Sequence, residues 1–144
     1  MIGRDLVNTL SYERALSPLT QTNADTAFVS QIIDMSTKLA LTFVIALGTL
    51  SDAGFTTVVL LEEGDDSGLS DAATVANADM ISMTNGTAPL TAAAFTQASD
   101  DLIKTLGYIG VKRYVRLTIT PTGNSAGHIP ISVVAVGLPR KRGN

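Results

Sequence analysis

The 144-residue sequence has no cysteine, no tryptophan and a single histidine, His128. The lack of cysteine excludes disulfides, thiol catalysis and zinc–thiolate sites. A Ser-His-Asp triad would have to use His128, which stands in GNSAGHIPI where a turn enters a strand, so we interpret it as a polar residue at a loop end. Composition leaves hydrolysis by paired carboxylates open, but no phosphate-loop, nucleophile-elbow or zinc-protease motif occurs. We therefore expect a protein that is not an enzyme and that carries no cofactor.

Long apolar runs are also missing. The longest, LALTFVIALG at 39–48, is about half as long as a membrane-spanning helix needs to be. The segment MIGRDLVNTLSYERALSP at 1–18 has no continuous apolar core, so it does not predict a signal peptide. We expect a protein that is made in the cytoplasm and has no membrane partner.

Charge is scarce and unevenly distributed. Only 16% of the residues are charged, with a net charge of -3. Residues 1–99 have a balance of -8, and residues 100–144 have a balance of +5. A surface poor in charge suits packing against other chains, since few charged groups are desolvated there. The asymmetry could draw copies together, or it could reflect solubility alone.

The length fits one domain, and its first 25 residues predict an extended N-terminal arm. They lack clear periodicity, apart from a short helical turn near Leu6 to Leu10, and Pro18 favours an extended Ser17. The arm has apolar side chains that need a surface to dock on, among them Leu6, Leu10, Tyr12, Leu16 and Leu19. That surface is either a neighbouring subunit or the protein's own sheet.

Residues 26–138 predict six or seven strands separated by turns, and no long amphipathic helix. The strands are expected at 28–35, 38–47, 55–63, 101–108, 113–120 and 129–135, with a further one near 79–83. The apolar 38–47 run predicts burial on both faces, whereas Val115, Leu117 and Ile119 alternate with polar residues as in a half-buried strand. This pattern favours an all-β antiparallel β-sandwich, jelly-roll-like. Residues 139–144 form a basic C-terminal tail, and the structure of residues 69–99 stays open.

Two loops could carry chemistry. The acidic stretch EEGDDSG at 62–68 could hold Ca²⁺, but it lacks the ligand spacing of an EF-hand, so we predict an ordinary turn and no metal. The stretch GYIGVKRYVRLTIT at 107–120 contains Lys112, Arg113 and Arg116 and no acid. Beside these bases, Tyr108 and Tyr114 could stack on nucleic-acid bases, but the positive footprint is small, so nucleic acid is not expected. We favour an outer sheet face on which these bases pair with the protein's own acids.

The order of these segments carries a resemblance. VVLLEEGDDSG at 58–68, then LGYIGVKRYVR at 106–116, a last apolar strand and a basic tail resemble small virion proteins of tailed bacteriophages. Those proteins are taken to be minor capsid, head cement or decoration proteins. The resemblance implies a β-sandwich in the virion that binds the major capsid protein as a homo-oligomer, a dimer or trimer.

The interface candidates that follow are nine residues: Leu6, Leu10, Tyr12, Leu16, Leu19, Tyr108, Arg113, Tyr114 and Arg116. Two alternatives stay open. One is a tail or head–tail connector component of the virion. The other is a β-sandwich that binds carbohydrate or another ligand, although such sites usually display exposed aromatic residues and this chain has no tryptophan and three tyrosines.

Overall fold

The computed structural model describes residues 4–140, and in this part of the chain it has ten strands and two short helices. The strands are β1 Ser11–Thr22, β2 Phe28–Val29, β3 Ile33–Asp34, β4 Lys38–Leu47, β5 Thr56–Gly64, β6 Ala73–Thr74, β7 Met80–Ile81, β8 Ile103–Tyr108, β9 Tyr114–Thr122 and β10 His128–Pro139. The helices are α1 Leu6–Thr9 and α2 Pro89–Ala93. None of the described helices is long and apolar enough to cross a bilayer.

The strands form two antiparallel sheets. Sheet A has the order β1-β10-β4-β8-β7, and sheet B has the order β2-β9-β5-β6, with β3 also paired to β9. The apolar sides of the two sheets face each other, and Phe43, Ile45, Leu61, Leu117 and Ile129 are buried between them. The antiparallel β-sandwich predicted from the sequence is confirmed.

The alternation predicted for the last two long strands is also confirmed. Val115, Leu117 and Ile119 of β9 are buried, while Tyr114 and Arg116 lie on the outer side of sheet B. In β10 the buried positions are Ile129, Ile131, Val133 and Ala135. These strands are long, regular and paired along most of their length, which is why their side-chain period of two is visible in the sequence.

The prediction that β4 is buried on both faces is wrong. Leu41, Phe43, Ile45 and Leu47 face the core, but the residues between them are only partly buried, and Leu39 is exposed. Because β4 lies in the middle of sheet A, its second side is screened by neighbouring strands and by no further layer.

The extended N-terminal arm predicted for residues 1–25 is not seen in the described part of that range. Residues 11–22 instead form β1, which pairs with β10 from Ser11 opposite Gly137 to Thr22 opposite His128. The register shifts on either side of Leu16 break the side-chain alternation, so the segment does not look like a strand in the sequence. Of the two docking alternatives, the protein's own sheet is the one this strand occupies.

Other boundaries differ in detail. The strand predicted at 28–35 is interrupted between β2 and β3, where the hydroxyl of Ser30 accepts the Leu117 N–H at 3.0 Å in place of a backbone carbonyl. The strand expected near 79–83 is reduced to β7. The segment left open, 69–99, also contains β6, α2 and two 3₁₀ turns at Asn77–Asp79 and Gln97–Ser99. Pro139 ends β10, and the remainder of the predicted basic tail beyond Arg140 lies outside the described residues.

Candidate assembly surfaces

The tyrosine–glycine–basic stretch lies at one end of the sandwich, where β8 leads into β9. Tyr108, predicted to be an exposed stacking or interface residue, is fully buried. Its hydroxyl donates to Oε2 of Glu63 at 2.6 Å and accepts the backbone N–H of Lys112 at 3.1 Å. Burial, and then the bond to Glu63, raise the pKa of Tyr108 above its ordinary value. The ring therefore connects the two sheets and is not available to a partner.

Gly110 allows the loop to close over that ring. A Cβ at this position would lie 2.5 Å from the Tyr108 hydroxyl oxygen and 2.6 Å from two ring carbons. Any side chain here would force the tyrosine or the loop to move. The two glycines of the GYIG segment thus have structural roles, since Gly107 similarly lies under Ile81 of β7.

The basic groups of the stretch are all paired with the protein's own acids. Lys112 Nζ lies 2.6 Å from Asp65, Arg113 binds both carboxylate oxygens of Asp34 at 3.1 and 3.2 Å, and Arg116 binds Glu62 at 2.9 and 3.1 Å. These bonds lower the pKa of Asp65 and bring that of Asp34 down to about 2, in each case mainly through the donated side-chain hydrogen bond. The Arg113 guanidinium also lies 5.0 Å from the centre of the Tyr114 ring. The pairing with acids that we favoured from the sequence is what the structure contains.

The acidic loop after β5 is an ordinary hydrogen-bonded turn. Asp71 accepts the backbone N–H groups of Asp65 and Asp66, and Asp66 accepts those of Gly68 and Ser70. Such bonds from backbone donors to short acidic side chains are typical of turns. Within residues 4–140 no group of three acidic or histidine side chains is placed to hold a metal ion.

The outer side of sheet A, which we call the A face, has no further layer packed on it in the described chain. It consists of the outward positions of the five strands: Tyr12, Arg14, Thr20, Thr22, Ala40, Thr42, Val44, Ala46, Ile81, Ile103, Thr105, Gly107, His128, Pro130, Ser132, Val134, Val136 and Leu138. They alternate with the buried core residues, as outward positions of a sandwich sheet must. Arg14 is the single charged residue among them.

Relief on the A face is uneven. At the β1–β10 side, Tyr12 is 51% exposed and Val134 is 40% exposed, and both project from the sheet. Across β4 and β8 a shallow groove of about 150 Å³ has Thr42 and Gly107 among its lining residues, with Ile81, Met83 and Ile109 alongside. The A face therefore has an apolar ridge at one side and an apolar groove at the other.

The N-terminal candidates divide between the A face and its surroundings. The Tyr12 hydroxyl donates to the Leu6 carbonyl at 3.0 Å, which holds α1 beside the ridge and leaves Leu6 exposed. Leu10 is partly buried, Leu16 packs against the core, and Leu19 lines a depression with Ala46 and Pro130. Only Tyr12, Leu6 and Leu19 of this group present much of their surface outward.

Sequence reasoning did not single out the outward residues of β4, β8 and β10. The sequence did contain a signal for this surface. The positions that alternate with Ile131, Val133 and Ala135 are Ser132, Val134 and Val136, and a strand with one solvated side usually has charged residues there. Of the nine predicted candidates, those in the 108–116 stretch lie at the ion-paired end of the sandwich, where Tyr108 is buried. Leu6, Tyr12 and Leu19 lie at the edge of the A face, and Leu10 and Leu16 are partly buried.

Comparison with known proteins leaves the function open. No family model matches the sequence, and no curated protein matches it. Among solved structures, the carbohydrate-binding module CBM29_1 from Piromyces equi has a TM-score of 0.42 at 8% identity, covering 90% of this chain and 91% of that chain. The xylan-binding module CBM15 has a TM-score of 0.36 at 14% identity over 96% and 95% of the two chains. Infectious bursal disease virus VP2 has a TM-score of 0.40 at 15% identity, covering 90% of this chain and 32% of that one. Scores and identities this low carry no argument about function.

Proposed function

We propose that this protein is a non-enzymatic structural component of a tailed-phage virion, which binds the major capsid protein on the head shell as a minor capsid, cement or decoration protein. The observation that carries the proposal is the A face. A sheet surface with one charged residue, Arg14, among eighteen outward positions is depleted in charge as the centres of protein interfaces are. The resemblance of residues 58–68 and 106–116 to phage virion proteins is the reason for proposing a virion as the assembly that this surface joins.

The exposed apolar side chains of the A face, Tyr12, Ile81, Ile103, Val134 and Leu138, support a role in assembly. Contiguous apolar patches of more than a few hundred Å² are uncommon on monomeric proteins and usually mark a contact with another molecule. Many weak contacts of this kind can hold a protein on a repeating lattice, because neighbouring attachments raise one another's effective concentration.

Two arrangements favour this role over catalysis or nucleic-acid binding. His128 is exposed at the start of β10, where its Nδ1 lies 3.0 Å from the Thr22 hydroxyl. That contact matches the loop-end residue expected from the sequence. The bases of 112–116 are occupied by Asp65, Asp34 and Glu62, so they offer little free positive charge to a phosphate backbone.

The aromatic residues do not favour the carbohydrate alternative. All four phenylalanines and Tyr108 are buried, and Tyr114 lies beside the Arg113 guanidinium, which leaves Tyr12 as the tyrosine with a largely exposed ring. Sugar-binding surfaces usually present several rings with an apolar face and a polar edge. A glycan array in which wild type binds and Tyr12→Ala does not would move the proposal to that class.

The test is quantification of the protein in purified virions by mass spectrometry, relative to the major capsid protein. A shell protein is expected in a simple ratio to the capsid lattice, because capsid-bound subunits follow its symmetry. A ratio near that of a single ring would instead assign the protein to the tail or the head–tail connector. Absence from particles that contain all other head proteins would overturn the proposal.

A further inference from the structure

The edges of the two sheets offer little to a partner strand. β6 and β7 have two residues each, and β2 and β3 are short and interrupted. β1 is long, but its register shifts beside Leu16, and its Ala15 carbonyl already accepts the Gln31 N–H from the opposite sheet at 2.8 Å. Short, bulged or occupied edges resist strand addition. Association is therefore expected to use a sheet face.

The outer face of sheet B is poorly suited to a buried interface. It carries the Arg116–Glu62 pair between its two central strands, β9 and β5, and the Arg113–Asp34 pair at one end. Burying such pairs removes water from four charged groups, and their attraction only partly compensates for that loss. The A face has no such pair.

We propose that the A face packs against the A face of a second copy of this chain, around a two-fold axis. Charged residues on an interface usually select a partner with the opposite charge pattern, and the A face has almost none. For the same reason, two copies of the A face would experience little like-charge repulsion when they pack together. The sheets would lie about 10 Å apart with their strands within about 30° of each other, as sheets do when they stack face to face.

The relief of the A face is self-complementary. A two-fold interface uses the same patch on both subunits, so a projection and its recess must both be present on that patch. The ridge formed by Tyr12, Val134 and Leu138 lies at one side, and the groove beside Ile81 and Met83 lies at the other. Rotation about an axis near β4 brings the ridge of each copy over the groove of the other.

The area is sufficient for a dimer of moderate affinity. The five strands have 12, 12, 10, 6 and 2 residues. With about 4.8 Å between strands and about 3.4 Å per residue, they give a footprint of roughly 700 Å². The exposed apolar side chains of α1, Leu6 and Val7, border the ridge and extend this footprint. A standard interface buries about 800 Å² per partner, so this footprint falls near the lower end of specific interfaces, where association is reversible.

The experiment is sedimentation equilibrium of the full chain at concentrations from below one to several hundred micromolar. The test variant is Val134→Lys, which introduces a charge at the centre of β10 on the A face. Val58→Lys is the matched control, because Val58 is equally a strand valine, is 67% exposed and lies on the outer side of sheet B. Thermal unfolding of both variants shows that each is folded.

Wild type and Val58→Lys are expected to dimerise alike. Val134→Lys is expected to weaken dimerisation by at least about a hundredfold, because it would place a lysine directly opposite Arg14 on each copy and bring these like charges into the interface. A wild type that stays monomeric throughout, or forms trimers, overturns the inference. So does a folded Val134→Lys protein that dimerises like wild type. The inference does not rest on the proposed virion role, since it is measured on the isolated protein. A dimer that is absent from virions would refute that role alone.

Discussion

The hydroxyl of Tyr108, on β8 of sheet A, donates a 2.6 Å hydrogen bond to the carboxylate of Glu63, on β5 of sheet B. The same oxygen accepts the backbone N–H of Lys112. This pair connects the two sheets at the end of the sandwich and fixes the loop that leads into β9. The most distinctive stretch of the sequence, GYIGVKRYVR, therefore stabilises the fold at the point where its bases also meet their acids.

Replacing Tyr108 by phenylalanine is expected to lower the free energy of unfolding by about 2 kcal/mol. The ring still fills its site, but Glu63 and the Lys112 N–H lose their partner, and hydrogen bonds to charged groups are worth about 1.5–3 kcal/mol. Urea denaturation measures the change. Tyr12→Phe is the control, because the Tyr12 hydroxyl bonds a carbonyl at an exposed site and its loss should cost less than about 0.5 kcal/mol. Equal losses in the two variants would contradict the role of the Tyr108–Glu63 bond.

Arg116→Glu is expected to destabilise the fold by about 1–2 kcal/mol, because it would place two carboxylates directly opposite each other on β9 and β5. The charge-reversed double variant Glu62→Arg/Arg116→Glu should recover most of that loss, since it restores an opposite pair. The measurement is a double-mutant cycle by chemical denaturation. A double variant no more stable than Arg116→Glu alone would mean that the pair does not contribute. Neither variant should alter dimerisation, as sheet B lies away from the A face.

Stability should depend on pH through Asp34. The Arg113 hydrogen bond brings the pKa of Asp34 from 3.8 down to about 2 in the folded protein. A carboxyl with a depressed folded pKa contributes stability that is present above the unfolded pKa and is lost as pH falls toward the folded one. We therefore expect the urea midpoint of wild type to fall more steeply between about pH 4 and pH 2 than that of Asp34→Asn. Arg113→Gln should reduce the slope in the same window. Identical slopes in all three proteins would contradict this assignment.

Lys38 allows a test of how a buried charge contributes to the free energy of unfolding. Its side chain is about 5% exposed, and its ammonium donates to the Asp34 carbonyl at 2.8 Å and pairs with Glu13 of β1 at 2.5 Å. Glu13→Ala should cost about 2 kcal/mol, because an ammonium that loses its partner stays buried. The double variant Glu13→Ala/Lys38→Met should be more stable than Glu13→Ala, since methionine fills the site without charge. A double variant less stable than the single one would show that the ammonium itself is required.

Much of the fold follows from local sequence pattern. β9 and β10 are regular, and their period of two identifies their core residues, although β10 continues to Pro139, past its predicted end. β1 was not predicted as a strand, because the register shifts near Leu16 and Pro18 interrupt its period of two. β2 and β3 look like one strand, because the interruption comes from a Ser30 side-chain bond to a residue far along the chain.

The surfaces were harder to predict, for a different reason. Tyr108 resembles an exposed tyrosine in the sequence, because its partner Glu63 is 45 residues away and only the fold brings them together. The run LALTFVIAL suggests a strand with two buried faces, but its second face has no covering layer within the described chain. A sequence pattern shows that a side chain is apolar. It does not show whether the residues that pack on that side chain belong to the same chain or to another.

A cryo-EM map of the purified virion tests the central claim most directly. The account predicts density for the sandwich on the head shell, with the A face buried in a contact between subunits. A particle without this protein, or one in which the A face is exposed to solvent on the shell, would contradict it.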